Sequence, residues 1–291
     1  MKKIESSELV LNPDGSIYHL KLHPEQVANT IIVVGDQNRV GMVSKHFDHI
    51  EHQVANREFV THTGSIGGKR ITALSTGIGT DNVDIVMNEL DALFNIDLKA
   101  REVKSEHQSF RVIRIGTSGT IQEDIPVDSA VISTHGLGFD GLAHFYQFAF
   151  SDADKQLSEA FVNQLNLPPN IAKPYMVQAS GLLFNQLKAI SPYHGITATA
   201  NGFYGPQGRK LRIPCAVENL NEQLHDFRFE NHRITNFEME TSALYMLSQA
   251  LGHEACTACA IIANRARKEY SKNYKPVVEN LIANVLEVIT V

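Results

Sequence analysis

Short apolar runs rich in β-branched residues alternate along this chain with longer amphipathic stretches. Thr30–Val34, Arg70–Ser75, Arg111–Ile115, Ser129–Ser133, Gly195–Ala200 and Cys256–Ala263 are too short and too apolar for amphipathic helices. Each predicts a strand, several of them buried on both faces. Between them, Val83, Val86, Met87, Leu90, Leu93 and Phe94 recur at i, i+3/i+4 spacing, as do Tyr274, Val277, Val278, Leu281, Ile282, Val285 and Ile289. These stripes predict two helices whose apolar faces serve a core or an interface. A further helix is expected from Thr241 through Ala243, Leu244, Leu247 and Leu251. The segment Asn95–Gln108 is the most polar connection and reads as a solvated excursion. Alternation of this kind, with no Pro/Gly/Ser-rich linker and no internal repeat, predicts one α/β domain over residues 1–291 around a largely central sheet.

Composition narrows the function classes. The chain has 291 residues, of which 43% are hydrophobic, enough for a substantial core. Its 26 Lys and Arg against 32 Asp and Glu give a formal net charge of −6. With no long basic run, nucleic acid and anionic membranes are disfavoured as partners, and any anion site must be local. Met1–Leu11 carries two lysines but no signal-like apolar stretch, and no apolar run approaches the ~20 residues that cross a bilayer. A cytoplasmic location is expected. Three cysteines, Cys215, Cys256 and Cys259, are too few for a disulfide framework. The CxxC spacing of the last two suggests metal or redox chemistry, yet no second ligand pair lies nearby, so both read as strand core and no metal is expected.

Chemistry concentrates in the loops that follow the strands. Phe203-Tyr204-Gly205-Pro206-Gln207-Gly208-Arg209 sets an amide and a guanidinium two residues apart on a glycine-flanked loop beside an aromatic face. An amide offers an acceptor and two donors in one plane, and a guanidinium adds a fork of donors. Together they match the imide edge of a uracil ring; alone, the segment reads equally well as a surface turn. Gly35 leaves the first strand with Arg39 about one helical turn on, so a backbone N–H and a charge can face the same anion. Arg114 lies within an otherwise apolar strand, where an unpaired charge is expensive, and calls for a bound anion or a carboxylate. Ser75-Thr76-Gly77-Ile78-Gly79 lacks the third glycine and the acidic residue of a dinucleotide fingerprint. Glu238 and Glu240 stand at the mouth of the helix that begins near Thr241, where one of them can act as a helix cap.

Gly-Asp-x-x-Arg-Val at Gly35, Arg57-Glu58-Phe59, Ser-Thr-Gly-Ile-Gly at Ser75, Arg-Ile-Gly-Thr at Arg114, Phe-Tyr-x-x-Gln-x-Arg at Phe203, Glu-Met-Glu at Glu238 and Asn264-Arg265 follow one another in an order that resembles the nucleoside phosphorylases, and within them the uridine phosphorylases, from about His19 to Glu269. The resemblance implies a three-layer α/β/α sandwich around a central mixed sheet. It implies phosphate held by Gly35, Arg39, Arg114 and Thr117, with Arg57 reaching over from a neighbouring subunit, hence a homo-oligomer, dimer or hexamer, with shared active sites. His19 is offered by the neighbour to the ribose 5′-hydroxyl; Glu240, assisted by Met239 and with Glu238 adjacent, takes the ribose hydroxyls. The base lies against Phe203, read by Gln207 and Arg209, with Ile262 and Arg265 completing the pocket. Gln207, Arg209, Arg114 and Glu240 carry the catalysis, with phosphate as co-substrate and no cofactor.

Some members also form a monovalent-cation site at the dimer interface, near the counterparts of Glu58, Ile78 and Asn82. Thr80-Asp81-Asn82 departs from the usual pattern there, and Gly205-Pro206 reverses another. Arg265 stands in the region where purine-specific members have an acidic residue that protonates N7, which favours uracil or thymine. A purine nucleoside phosphorylase, a nucleoside hydrolase and a non-catalytic nucleoside binder on the same fold remain as alternatives.

Overall fold

The computed structural model describes residues 3–290; Met1, Lys2 and Val291 lie outside these. The chain opens with β1 (Thr30–Val34), α1 (Gln37–Ser44), β2 (His49–Asn56), β3 (Phe59–Ile66), β4 (Lys69–Ser75) and α2 (Thr80–Asn95). The two-residue strands β5 (Ile96–Asp97) and β6 (Glu102–Val103) lead to β7 (Arg111–Thr120), β8 (Ala130–Gly138), α3 (Asp152–Gln164), β9 (Tyr175–Gln178), α4 (Gly181–Leu187) and β10 (His194–Thr199). The last third holds α5 (Leu220–Asp226), β11 (Arg228–Phe229), β12 (His232–Glu238), α6 (Thr241–Leu251), β13 (Glu254–Asn264), β14 (Glu269–Tyr270) and α7 (Lys275–Thr290).

One mixed sheet runs through the molecule in the order β11-β12-β10-β8-β13-β7-β1-β4-β3-β2. β1 lies parallel to both β4 and β7 at its centre, where Ile31, Ile32, Val33 and Val34 are all buried. Each such side chain contributes about 1.5–3 kcal/mol of transfer free energy. β12 also meets the end of β7, antiparallel at Phe237 and Gly119, so β7, β13, β8, β10 and β12 close on themselves as an irregular barrel. α2 packs on α6, while α1, α4 and α7 pack together as a second helical group. The architecture is the expected mixed α/β fold.

β1 coincides with its sequence expectation, whereas β7, β8 and β13 run further than their apolar cores suggest. The β7 extension, Gly116-Thr117-Ser118-Gly119-Thr120, is small and polar, and its Thr117, Ser118 and Gly119 line a cavity. β2 and β3 carry no apolar run: they are antiparallel strands at the sheet edge, and β2 is largely exposed. The Asn95–Gln108 excursion is an ordered ribbon, in which Gln108 N donates to Asn95 Oδ1 at 2.7 Å. Cys256 and Cys259 are buried strand residues, as expected of core, and burial pushes both thiols up to about 12.

Candidate active site

A cavity of about 670 Å³ opens over the ends of β1 and β4, across β7 and against the ends of β12 and β13. Its floor is a buried charge cluster. Arg114, on β7, sends one guanidinium nitrogen to Glu240 Oε2 and the other to Glu238 Oε2 at 3.2 Å. All three side chains are almost wholly buried. The guanidinium folds back over its own strand, and a Cβ on Gly116 would lie 1.9 Å from it, so a larger residue there would have to displace the guanidinium from its carboxylates. Burial opposes the Arg114 charge, but Glu240 and Glu238 override it and hold this arginine above its usual value.

The two carboxylates have different work. Glu238 accepts from Thr199 Oγ1 at 2.7 Å and from the backbone N–H groups of Glu240 and Thr241 at 3.1 Å, so it caps α6 as well as pairing Arg114. Burial, opposed by Arg114 and reinforced by Glu240, raises its pKa. Glu240 takes the N–H of Gly79 on Oε1 at 2.8 Å. Oε1 keeps a further lone pair that can accept from a hydroxyl group, whereas Oε2 already accepts from Arg114 and, at 3.2 Å, from the Met239 N–H.

Arg39 reaches the same floor from α1, where its Nη1 donates to Ile115 O at 3.3 Å. Burial, and then the charge of Arg114, lower its pKa. Glu238 and Glu240 are both taken up by Arg114, whereas Arg39 has no ion pair among the described residues, so its guanidinium stands as a local positive charge beside Gly35 and Thr117, which also line the cavity. That half of the cavity is suited to a small oxyanion.

The opposite half is built on the β10–α5 connection. A short turn at Gly205–Gln207 ends in Gly208 at φ +67, a left-handed conformation that lets Gln207 point inward, almost fully buried. Arg209 Nη1 donates to Gln207 Oε1 at 2.5 Å and to Phe203 O at 2.7 Å, and its guanidinium lies 3.8 Å from the Phe203 ring centroid. With Oε1 turned to Arg209, the Gln207 amide presents its NH₂ to the cavity. Phe203 is 51% exposed, and one of its faces is covered by Arg209.

A model of the phosphorylase superfamily matches residues 29–290. The chain belongs to that superfamily. The uridine phosphorylase of Thermococcus kodakarensis is 29% identical over 276 residues, covering 94% of this chain and 86% of the relative. A DeoD-type purine nucleoside phosphorylase of Clostridium perfringens is 26% identical over 246 residues, covering 84% and 85%. Among solved structures, a Trypanosoma brucei nucleoside phosphorylase, described as showing uridine phosphorylase activity, superposes with a TM-score of 0.90 at 29% identity, over 97% of this chain and 99% of that one.

Most residues expected at the site of this phosphorylase do line the cavity: Gly35, Arg39, Arg114 and Thr117 at one end, Glu238, Met239 and Glu240 on the floor, and Phe203, Gln207, Arg209 and Ile262 at the other. Three do not. Arg265 lies behind the loop, donating to Gln207 O at 2.5 Å, and burial followed by the charge of Arg209 pushes its pKa down to about 10. It supports the loop and does not line the cavity. Arg57 and His19 stand on the outer surface of their own chain, where Arg57 lies over Tyr18 and His19 is bound to Glu89. Glu58, Ile78 and Asn82, the counterparts of the cation site, all border the cavity.

Sequence reasoning missed Ser118 and Tyr270. Ser118 Oγ accepts from Asn236 Nδ2 at 2.9 Å, and a lone serine within a Gly-Thr run carries no distinguishing signal. Tyr270 arrives at the cavity because β14 folds back on β13, opposite Ala263, a pairing invisible in the local pattern. Elsewhere, Asp91, His107 and His253 gather as possible metal ligands. Yet His253 Nδ1 accepts from Phe110 N at 3.4 Å, which leaves Nε2 to donate to Asp91 Oδ1 at 3.0 Å. In that tautomer no imidazole lone pair of His253 is free for a metal, and His107 stacks on His253 while its Nε2 lies 2.8 Å from Leu251 O.

Proposed function

We propose that this chain catalyses the phosphorolysis of uridine, giving uracil and ribose 1-phosphate. The observation that carries the reading is the juxtaposition, across one cavity, of an anion site built on Arg39 and Arg114 with the paired Gln207 and Arg209. Phosphate between Arg39 and Arg114, close to the Gly35 N–H and the Thr117 hydroxyl, would sit beside a ribose whose 2′- and 3′-hydroxyls face Glu240, with Oε1 the oxygen free to accept. The nucleophile and the sugar are then ordered by groups that share Arg114, so much of the rate comes from orientation.

As the glycosidic bond loosens, C1′ gains oxocarbenium character and negative charge spreads over O2, N3 and O4 of the departing uracil. Gln207 and Arg209 offer donors to that edge and stabilise the leaving charge more than the ground state, which makes the interaction catalytic. An exocyclic amine, as on cytosine, would face the donors of Arg209 with nothing to accept from it, which disfavours cytidine. Neither a covalent nucleophile nor a cofactor is needed for these steps.

The 29% identity to uridine phosphorylases over most of the chain favours uridine over purine nucleosides. The superfamily resemblance and the absence of Arg57 and His19 from their own cavity support a homo-oligomer, dimer or hexamer, in which neighbours complete each other's sites. We take residues 1–291 as one domain and assign the reaction to pyrimidine salvage in the cytoplasm. Ultraviolet-monitored cleavage of uridine, thymidine and inosine, each with and without inorganic phosphate, tests the reading. Phosphate-dependent loss of uridine is expected; inosine cleavage alone would move the assignment to a purine enzyme, and phosphate-independent cleavage to a hydrolase.

A further inference from the structure

The two residues absent from the cavity are held with unusual care beside it. His19 Nδ1 lies 2.6 Å from Glu89 Oε1. The same carboxylate accepts from the backbone N–H of His19, at 2.9 Å on Oε1 and 3.0 Å on Oε2, and from that of Leu20 at 2.8 Å. Asn56 Nδ2 donates to the His19 carbonyl at 2.8 Å, and the next residue, Arg57, adopts φ +54 and lays its guanidinium 5.6 Å from the Tyr18 ring centroid. An irregular surface segment, residues 18–20, is thereby tied to α2 through one side chain.

A carboxylate only accepts hydrogen bonds, so Glu89 keeps the imidazole proton on Nδ1 and leaves Nε2 as the lone-pair nitrogen. The His19 side chain is 29% exposed, and Nε2 has no hydrogen bond among the described residues. Glu89 stands seven residues after Asn82 on α2, two helical turns on and on nearly the same face, about 10 Å along the axis. Asn82 lines the cavity, and so does Glu58, the chain neighbour of Arg57. The cluster therefore borders the mouth of the cavity without entering it, the placement from which two copies related by a twofold axis can exchange the same groups.

We propose that Glu89 is a positioning residue for the reaction: it acts through His19, fixing the tautomer and orientation that present Nε2 as an acceptor to the 5′-hydroxyl of a nucleoside bound in a second copy. The inference rests on the uridine phosphorolysis reading and on a site shared between copies. Glu89 itself never meets the substrate, and its contribution is confined to substrates that carry a 5′-hydroxyl.

The test is steady-state phosphorolysis of uridine and of 5′-deoxyuridine by the wild type, Glu89→Gln, His19→Ala and the double variant. Glu89→Gln keeps the size of the side chain but replaces one acceptor oxygen with a donor. A rise of several-fold to about tenfold in KM for uridine, with kcat changed much less, matches the weight of one hydrogen bond. The KM for 5′-deoxyuridine stays at its wild-type value, and the double variant is no worse on uridine than His19→Ala. Equal losses on both substrates, or additive losses in the double variant, would overturn the proposal while leaving phosphorolysis intact. Failure of the wild type to cleave either nucleoside would overturn the functional reading and this inference with it.

Discussion

Replacing Arg114 by leucine removes the one cation that two buried carboxylates share. Glu238 and Glu240 lie within contact of this guanidinium, and neither has solvent to fall back on. Breaking a buried ion pair from one side costs about 3–5 kcal/mol, because the remaining charge stays buried without its partner. At about 2 °C per kcal/mol for a chain of this size, the melting temperature should fall by roughly 6–10 °C. The sign of the pH dependence follows from Glu238, whose pKa already lies above its ordinary 4.5 through burial, against the pull of Arg114 and with the push of Glu240. An acid raised in this way binds its proton more tightly folded than unfolded. Its ionisation costs stability above the folded value, and that cost is absent below the unfolded one. Without Arg114 the pull is lost and the elevation grows, so the deficit of the variant should be largest near pH 8 and narrow towards pH 5. Thermal melts of wild type and variant by circular dichroism at both pH values measure it. A melting point within 2 °C of wild type at pH 8, or a gap that widens on acidification, would refute the buried-cluster account. Arg114→Lys should recover only part of the loss, since an ammonium cannot span both carboxylates.

Inorganic phosphate at about a hundred times its Kd should stabilise the wild type by ~2.7 kcal/mol. Arg39→Ala should abolish most of that thermal shift while leaving the phosphate-free melting point nearly unchanged, because burial and Arg114 already disfavour the Arg39 charge; an undiminished shift would place the anion elsewhere. Gln207→Ala and Arg209→Ala should each lower turnover by ~10²–10³ with the fold intact, and near wild-type rates in either would remove that residue from the mechanism. In native protein at pH 8 a thiol reagent should label the partly exposed Cys215 and spare Cys256 and Cys259, which burial pushes up to about 12. Rapid labelling of all three without denaturant would contradict the packing of β13.

The elements whose hydrophobic pattern matches a single periodicity were legible in the sequence. β1 and α2 fall where continuous apolar runs and i, i+3/i+4 stripes predict them, because both are buried by neighbours on fixed faces. β2 was hidden because an exposed antiparallel edge strand such as His49–Asn56 needs no apolar run. The barrel was hidden for a different reason: its closure depends on the pairing of β12 with the far end of β7, a contact between residues over a hundred positions apart. Arg114 was the clearest site signal, since a charge in an apolar strand demands a partner, and the structure supplies carboxylates from Glu238 and Glu240. Nothing local distinguishes Arg265, which supports the loop, from Arg209, which lines the cavity. Only the path of the backbone around Gln207 separates them.

The cavity joins two kinds of scaffold. Arg114 and Glu238 hang from strands of the barrel and Glu240 from the turn into α6, with hydrogen bonds that use backbone amides of Gly79, Glu240 and Thr241. Such a floor cannot shift without leaving buried charges unpaired, and under the proposed function it would meet the parts that do not vary with the base, the ribose of the nucleoside and the phosphate co-substrate. Phe203, Gln207 and Arg209 sit instead on a connection whose neighbouring residues Tyr204, Leu211 and Ile213 are exposed, where substitution disturbs little of the core. On the proposed reading, base selectivity can therefore change through the loop while the ribose and phosphate floor is retained. This division is consistent with a superfamily in which relatives named for uridine and for purine nucleosides align over most of the same chain.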